Sequence, residues 1–459
     1  MQNTFHLFCL IAPVLALVQL VLRFALEQGP AKARLAAVWQ EEHWLLWNGF
    51  SALRERLATP VFCCIVLLWW GAEPISLLVE WYGPVGAPTA FATLRSLTLA
   101  GLILGKAFCL TRYSGRQLVL GGLAAALWAQ GALLSGYGPL SDALLLMFAV
   151  KDTRLFSGLA SMLAAQTFEF VFTVSTALLG LQANMQTTFD TSRARVRMAL
   201  GYGSYNSCGI AAANLALLWL CLRWKKLRWW DVLGVIGVVV FIDLVPNSRS
   251  AELLCLIVLA AALAGRALPR LLQSRWVRAG SAAAAPLLCA FSYLMACLYD
   301  PQNPVISRIN SLLSGRVQLA WNSLFNNDLI SWYWFGQPFT TLFFYEVDNT
   351  YVYYLFLCGL LFVGMMVLGG ALLGWRLAKS GGADLILLAC ALGFMVYAIM
   401  EKVLYPNLLI LLSANALFGG GARPLTLNDP PGPVPAAPPA QKGLPPDAAP
   451  AAQQGGEGV

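Results

Sequence analysis

The sequence predicts an all-α polytopic membrane protein with about 12 to 13 transmembrane helices and one large extracytoplasmic loop. Three observations carry that expectation. The 459 residues are 59% hydrophobic and only 11% charged, whereas a soluble domain carries about 25% charge. Apolar runs long enough to cross a hydrocarbon core recur along nearly the whole chain. Without water in that core, backbone groups are satisfied only in helices or closed barrels, and continuous rather than alternating apolar runs select helices.

In order along the chain, the apolar runs lie near 7–26, 59–79, 89–110, 117–135, 137–150, 156–181, 206–222, 229–245, 250–265, 281–298, 350–374, 384–400 and 403–418. The run 137–150 is short for a full crossing, and without it the count is twelve. Retaining it, with an outside N-terminus and a cytoplasmic C-terminus, places 22 of the 30 Lys and Arg residues in cytoplasmic segments, as the positive-inside rule requires. The net charge of +8 therefore follows from topology and needs no nucleic-acid ligand.

Between the first two runs, residues 31–57 mix charges with Trp and Leu at helical spacing, the pattern of a helix lying on the cytoplasmic interface. Residues 1–418 form the membrane-embedded part. Beyond them, 419–459 turn to Pro, Ala, Gly and Gln, a composition that cannot bury a core and reads as a disordered cytoplasmic tail. The N-terminal run lacks a small-residue cleavage site and reads as a first span. Two outside segments are long enough to build a site: 182–205, and the large loop at about 299–348.

The chemistry available is restricted. The two histidines, His6 and His43, both precede the second apolar run, so His-based catalysis deep in the chain is excluded. The 11 cysteines lie in or beside apolar runs with no CxxC spacing, which indicates neither a metal site nor a disulfide framework.

Eight cations fall outside against the rule: Arg95, Arg193, Arg195, Arg197, Arg249, Arg308, Arg316 and Lys402. Seven are Arg, whose planar fork matches phosphate oxygens. The group reads either as a phosphate-binding set or as a fringe for lipid headgroups. Arg193, Arg195 and Arg197 alternate in RVRMALGYGSYN and its preceding residues. Extended, they share one direction; helical, Arg195 opposes the other two. Arg249 occupies a polar step, VPNSRSAEL, between two apolar runs, where Asp243 or Glu252 offers a structural ion pair. Asp348 stands at the head of DNTYVYYLFLCG and is either a helix N-cap or an acceptor for a hydroxyl proton. Asn349 and Tyr351 are placed to orient a substrate there. Glu169, in TFEFVFTV, is an intramembrane carboxylate with either an internal partner or a proton-path role. The aromatics of SWYWFGQPF fit an interfacial belt or a platform for sugar or lipid.

Four of these stretches, in this order, resemble the O-antigen ligase and polymerase superfamily of membrane glycosyltransferases: RVRMALGYGSYN, PNSRSAELL, SGRVQLAWNSLFNNDLISWYWFGQPF and DNTYVYYLFLCGLLFVG. They span roughly residues 190 to 375, and the first half of the chain matches only in its rhythm of spans. Ligases of the superfamily carry a His at the head of the re-entering helix. This chain has Asp348 there, which favours a repeat-unit polymerase of O-antigen, capsule or exopolysaccharide. A ligase-type glycosyltransferase is the alternative, and a polysaccharide flippase or transporter a further one.

The resemblance implies an enzyme of the bacterial cytoplasmic membrane. It would transfer a glycan from undecaprenyl diphosphate to a lipid-linked repeat unit at the outer face, with no cofactor or metal. Its partners would be undecaprenyl diphosphate-linked oligosaccharides, membrane lipid, and chain-length regulator and flippase proteins. In that chemistry Asp348 orients or deprotonates the acceptor hydroxyl, and Arg249 neutralises the diphosphate, joined by Arg193, Arg195, Arg197 and Arg316. Asn206, Asn349 and Tyr351 position the substrate.

Overall fold

The computed structural model describes residues 17–25, 30–45, 49–84, 86–135, 138–182, 186–190, 195–268, 274–325, 334–336, 347–379 and 385–402, with single positions 408, 411, 412 and 414. These residues are helical nearly throughout. Helix α1 covers Ala31–Gln40, and strand β1, His43–Trp44, leads into α2, Ser51–Tyr82. Helix α3, Ala87–Gly105, runs on through a π turn, Lys106–Leu110, to strand β2, Arg112–Tyr113. Then follow α4 (Gly115–Ser135), α5 (Gly138–Val150) and α6 (Leu155–Leu178).

A hairpin of β3 (Gln186–Asp190) and β4 (Arg195–Met198) precedes α7, Tyr205–Arg223. Helices α8 (Trp229–Leu244), α9 (Arg249–Ala267) and α10 (Arg275–Cys297) come next. The large loop holds α11 (Pro304–Leu312) and α12 (Arg316–Phe325), followed by α13 (Thr350–Cys358), α14 (Leu360–Lys379) and α15 (Leu385–Tyr397).

Among the described residues, seven helical segments are long and apolar enough to cross a membrane: Ser51–Tyr82, Ala87–Leu110, Leu155–Leu178, Tyr205–Lys226, Arg249–Ala267, Arg275–Cys297 and Leu360–Lys379. Helices also cover the apolar runs expected near 117–135, 137–150, 229–245 and 384–400, with 21, 13, 16 and 13 residues. The architecture is that of a polytopic membrane protein. The tail 419–459 lies outside the described residues.

Two expectations differ from what is seen. The stretch 31–57 is not one interfacial helix. Helix α1 stops at Gln40, and β1 pairs antiparallel with β2, His43 opposite Tyr113 and Trp44 opposite Arg112. The charges of Arg54 and Arg56 belong to the first turns of α2 instead. The expected span 350–374 is two helices, because Gly359 leaves the helical region at φ 85°. A Cβ there would meet the backbone nitrogen of Gly336 at 2.5 Å, and Leu361 N–H donates to Trp334 carbonyl at 3.3 Å. Residues 334–336 thus pack against the break between α13 and α14.

The two ends of the bundle differ in chemistry. At the basic end, cations are tied into the protein itself. Arg23 donates to the carbonyls of Tyr113 (3.1 Å) and His43 (3.2 Å), and buried Lys106 donates to Lys151 carbonyl at 2.6 Å. Lys151 pairs with Glu42 (3.2 Å) and Asp152 (3.3 Å), and Arg112 with Glu55 (3.2 Å). The opposite end, the loop end, carries the β3–β4 hairpin and the large loop.

A candidate site at the loop end

Five chain segments converge at the loop end, most of them brought there by a local feature of the sequence. Ser204 caps α7, its hydroxyl accepting from Ser207 N–H at 3.1 Å, and this sets Asn206 in the first turn. Between α8 and α9 the chain reverses through Pro246 and Asn247, the latter in the left-handed region at φ 49°, a conformation Asn adopts more readily than most residues. Ser248 and Ser250 then begin α9, both buried. Gly209 permits this approach, since a Cβ on it would stand 2.5 Å from Ser248 Cβ. A turn at Ser314 and Gly315, φ 54° and 85°, starts α12 at Arg316. Asn349 caps α13, accepting from Tyr351 N–H (3.1 Å) and Val352 N–H (3.2 Å), and leaves Asp348 just ahead of the helix. After α15, the corner 398–402 carries Glu401 and Lys402.

These segments enclose a charged cluster. Glu401, 8% exposed, accepts at Oε1 from Asn206 Nδ2 (2.9 Å), Ser250 Oγ (2.8 Å) and Arg316 Nη2 (3.0 Å). Ser248 Oγ donates to Asn206 Oδ1 at 3.2 Å. Arg316 Nε donates to Met400 carbonyl at 2.9 Å, and Thr350 Oγ1 to Glu401 carbonyl at 2.6 Å. Asp348 lies between two cations: its Oδ2 is 3.6 Å from Arg316 Nη2, and its Oδ1 is 3.8 Å from Lys402 Nζ. Lys402 also lies over the Tyr353 ring, 5.2 Å from the centroid. The side chains of Asp348 and Lys402 are 31% and 38% exposed, so these two groups face outward while Glu401 lies beneath them. Burial pushes the Glu401 carboxyl above its ordinary value of 4.5, with neighbouring Asp348 adding to the shift, and Arg316 and the Ser250 hydroxyl opposing it.

The residues singled out by the sequence are distributed as follows. Arg316, Asp348 and Asn206 belong to the cluster. Asn349 donates to Ser292 Oγ at 3.1 Å besides capping α13, and Tyr351, 3% exposed, donates to Met395 carbonyl at 3.3 Å while its own carbonyl accepts from Tyr293. Arg249 is the first residue of α9, exposed, and flanked in the chain by the two cluster serines. Arg193 lies outside the described residues. Arg195 and Arg197 are in β4, which makes that stretch extended, with Arg195 opposite Asp190 in register and Arg197 opposite Thr187. The Arg197 guanidinium stacks on Tyr205, 4.4 Å from the ring centroid and one residue before Asn206.

Away from the cluster, Arg95 pairs with Glu73 and donates to Trp69 carbonyl. Glu169, on α6, lies near enough to that pair to be influenced electrostatically by both members. Arg308 is exposed on α11.

Glu401 is absent from the sequence-derived set, Ser250 reads in the sequence only as a cap of the following helix, and Lys402 entered only as one of the exceptional cations. Their signal was faint. A Glu-Lys pair between the last two apolar runs reads as loop punctuation until the fold shows what lies beside it. Among the described residues, no group of three or more His, Cys, Asp or Glu side chains is placed to hold a metal ion. No family model, curated protein or solved structure matches this chain.

Proposed function

We propose that the protein is a membrane glycosyltransferase that polymerises a lipid-linked glycan at the loop end of its helical bundle. The donor is a growing glycan on undecaprenyl diphosphate, and the acceptor a lipid-linked repeat unit. The observation that carries the reading is Asp348, a partly exposed carboxylate flanked by Arg316 and Lys402 from segments remote in sequence.

In this reaction an acceptor hydroxyl attacks the anomeric carbon of the donor. A carbon–oxygen bond forms there as the bond to the diphosphate oxygen breaks. Asp348 accepts the hydroxyl proton, and polyprenyl diphosphate leaves with the bonding pair. The diphosphate is already a competent leaving group, so the protein's main task is to meet the charge gathering on its oxygens. Lys402 is the cation of the cluster best exposed for that contact. Arg249, exposed beside Ser248 and Ser250, is a second.

The resemblance in the second half of the chain supports this class of reaction. Two features of placement favour it over the alternatives. A transporter gathers its charges near the bilayer midplane, whereas this cluster lies at one end beside the large loop. A ligase of the superfamily would carry a His at the head of the helix where this chain has Asp348.

The test is to profile polyprenyl-linked glycans in the bacterium carrying this gene, with and without the protein. Accumulation of single lipid-linked repeats upon deletion supports polymerisation. Accumulation of long lipid-linked chains makes the protein a ligase, and an unchanged profile refutes glycan transfer.

A further inference from the structure

Glu401 is a buried anion at the meeting point of four elements. Its one oxygen Oε1 takes donors from α7, α9 and α12. The corner around it is pinned again by Arg316 Nε on Met400 carbonyl and Thr350 Oγ1 on Glu401 carbonyl. Burying a carboxylate is unfavourable, and an apolar side chain of similar volume commonly packs as stably as an ion pair. What an ion pair adds is direction. A guanidinium held at both Nε and Nη2 has its plane fixed, because the fork is rigid. Arg316 also donates from Nη1 to Ser314 carbonyl at 3.2 Å, so all three of its nitrogens are engaged by this chain. Its orientation is therefore set by protein groups, and Glu401 supplies the charged one at hydrogen-bond distance.

We infer that Glu401 is a positioning residue: it holds the Arg316 fork, seats α12 on the bundle through that fork, and so fixes the cationic wall beside Asp348. This rests on the glycosyltransferase reading for its catalytic consequence, but not for the seating itself. Glu401 lies beneath the exposed pair and transfers no proton to substrate. Losing it leaves Asp348 in place beside a guanidinium held only by the carbonyls of Met400 and Ser314, with no charged partner beneath it, and a misplacement there is of the kind that lowers turnover by about 100-fold while binding persists.

The experiment uses the full-length protein in lipid vesicles. Ser323, 7% exposed on α12, is replaced by Cys as a reporter, and its labelling by a membrane-impermeant maleimide is measured against the parent with its native cysteines. Glu401→Gln is expected to raise the labelling rate at Ser323→Cys at least fivefold. It is also expected to lower kcat for extension of a lipid-linked repeat by about 100-fold with KM within about twofold. Glu401→Asp, which keeps the charge, should recover part of both. Arg316→Gln provides a second route should Glu401→Gln fail to fold. It should reproduce the labelling gain, and the double variant should be no worse than either single one, as for two groups acting as a unit.

Unchanged labelling in both single variants overturns the inference, whatever the enzymology. Increased labelling with full kcat overturns the positioning role. Absence of transfer by the wild-type protein refutes the function proposed above, and labelling then decides the seating of α12 alone.

Discussion

Gly336, in the large loop, lies backbone against backbone with Gly359, at the break between α13 and α14. Both adopt positive φ, 82° and 85°. A Cβ on Gly336 would stand 2.6 Å from Cys358 Cα, and one on Gly359 2.5 Å from Gly336 N. Backbone that leaves helical geometry in an apolar surround persists only where protein covers it, and here each glycine lets the other's chain approach that closely. The contact also joins the loop bearing α12 to the helix that Asp348 precedes.

Gly359→Ala should therefore destabilise the protein markedly. At φ 85° and ψ 176° Gly359 sits in a region essentially only glycine adopts, where another residue costs about 1–3 kcal/mol, and the overlap with main chain adds to it, because neither backbone can yield as a flexible side chain would. Gly364, in α14, is the control, since a Cβ added there would meet nothing within 4 Å. Ala at that position should be neutral or stabilising by about 0.5–1 kcal/mol. Thermal unfolding in detergent decides between them, and equal melting temperatures for the two variants would remove Gly359 from any structural role.

The helices were legible in the sequence because apolar runs between charged residues are a one-dimensional signal. The break at Gly359 was not, since in FLCGLLFVG nothing sets Gly359 apart from Gly364, which continues a helix, before its partner Gly336, in a distant loop, is known. The meeting of Arg316, Asp348 and Lys402 was hidden for the same reason: each was visible as a stray charge, but pairing depends on how the helices pack. Glu401 was overlooked because a carboxylate beside a lysine between two apolar runs looks solvated. Its burial comes from α7, α9 and α12 closing over it.

Asp348→Asn retains the shape of the side chain and loses the proton acceptor. Single lipid-linked repeats should accumulate at unchanged protein abundance, with long glycan reduced by at least about 100-fold, within the roughly 10²–10⁴ range for general base catalysis. Gel profiles of glycan length, read beside an immunoblot, measure both. Wild-type chain lengths in this variant would exclude Asp348 from the chemistry.

The raised pKa of Glu401 makes a prediction about stability and pH. A carboxyl with a higher pKa folded than unfolded holds a proton in the native state at pH values where the unfolded chain has released it. Its contribution to stability is thus fully present below about pH 4.5 and is lost as pH rises through the folded value. Wild type should lose melting temperature across that window more steeply than Glu401→Gln, which cannot titrate. Parallel melting curves from about pH 4.5 to 8 for the two proteins would show that Glu401 has an ordinary pKa in the fold.

Gly209→Ala tests whether the buried hydroxyl and amide network matters to the site. The new Cβ would collide with Ser248 Cβ at 2.5 Å, pushing α9 away from α7 and parting Asn206 from Ser248. Gly203, where an added Cβ meets nothing within 4 Å, is the matched control just ahead of the same helix. Long glycan should fall with the first and persist with the second. Persistence with both would mean that the cluster tolerates displacement of α9.

Arg249→Lys separates phosphate recognition from structure. Arg249 is exposed at the first position of α9, where Lys enters with no change in burial and where neither side chain is favoured by the helix dipole. Charge is retained, but the planar fork that meets two phosphate oxygens together is lost. The expected outcome is loss of long glycan at unchanged abundance and melting temperature. An equal fall in abundance would assign Arg249 to an ion pair holding α9, and unimpaired glycan length would leave Lys402 as the cation that meets the diphosphate.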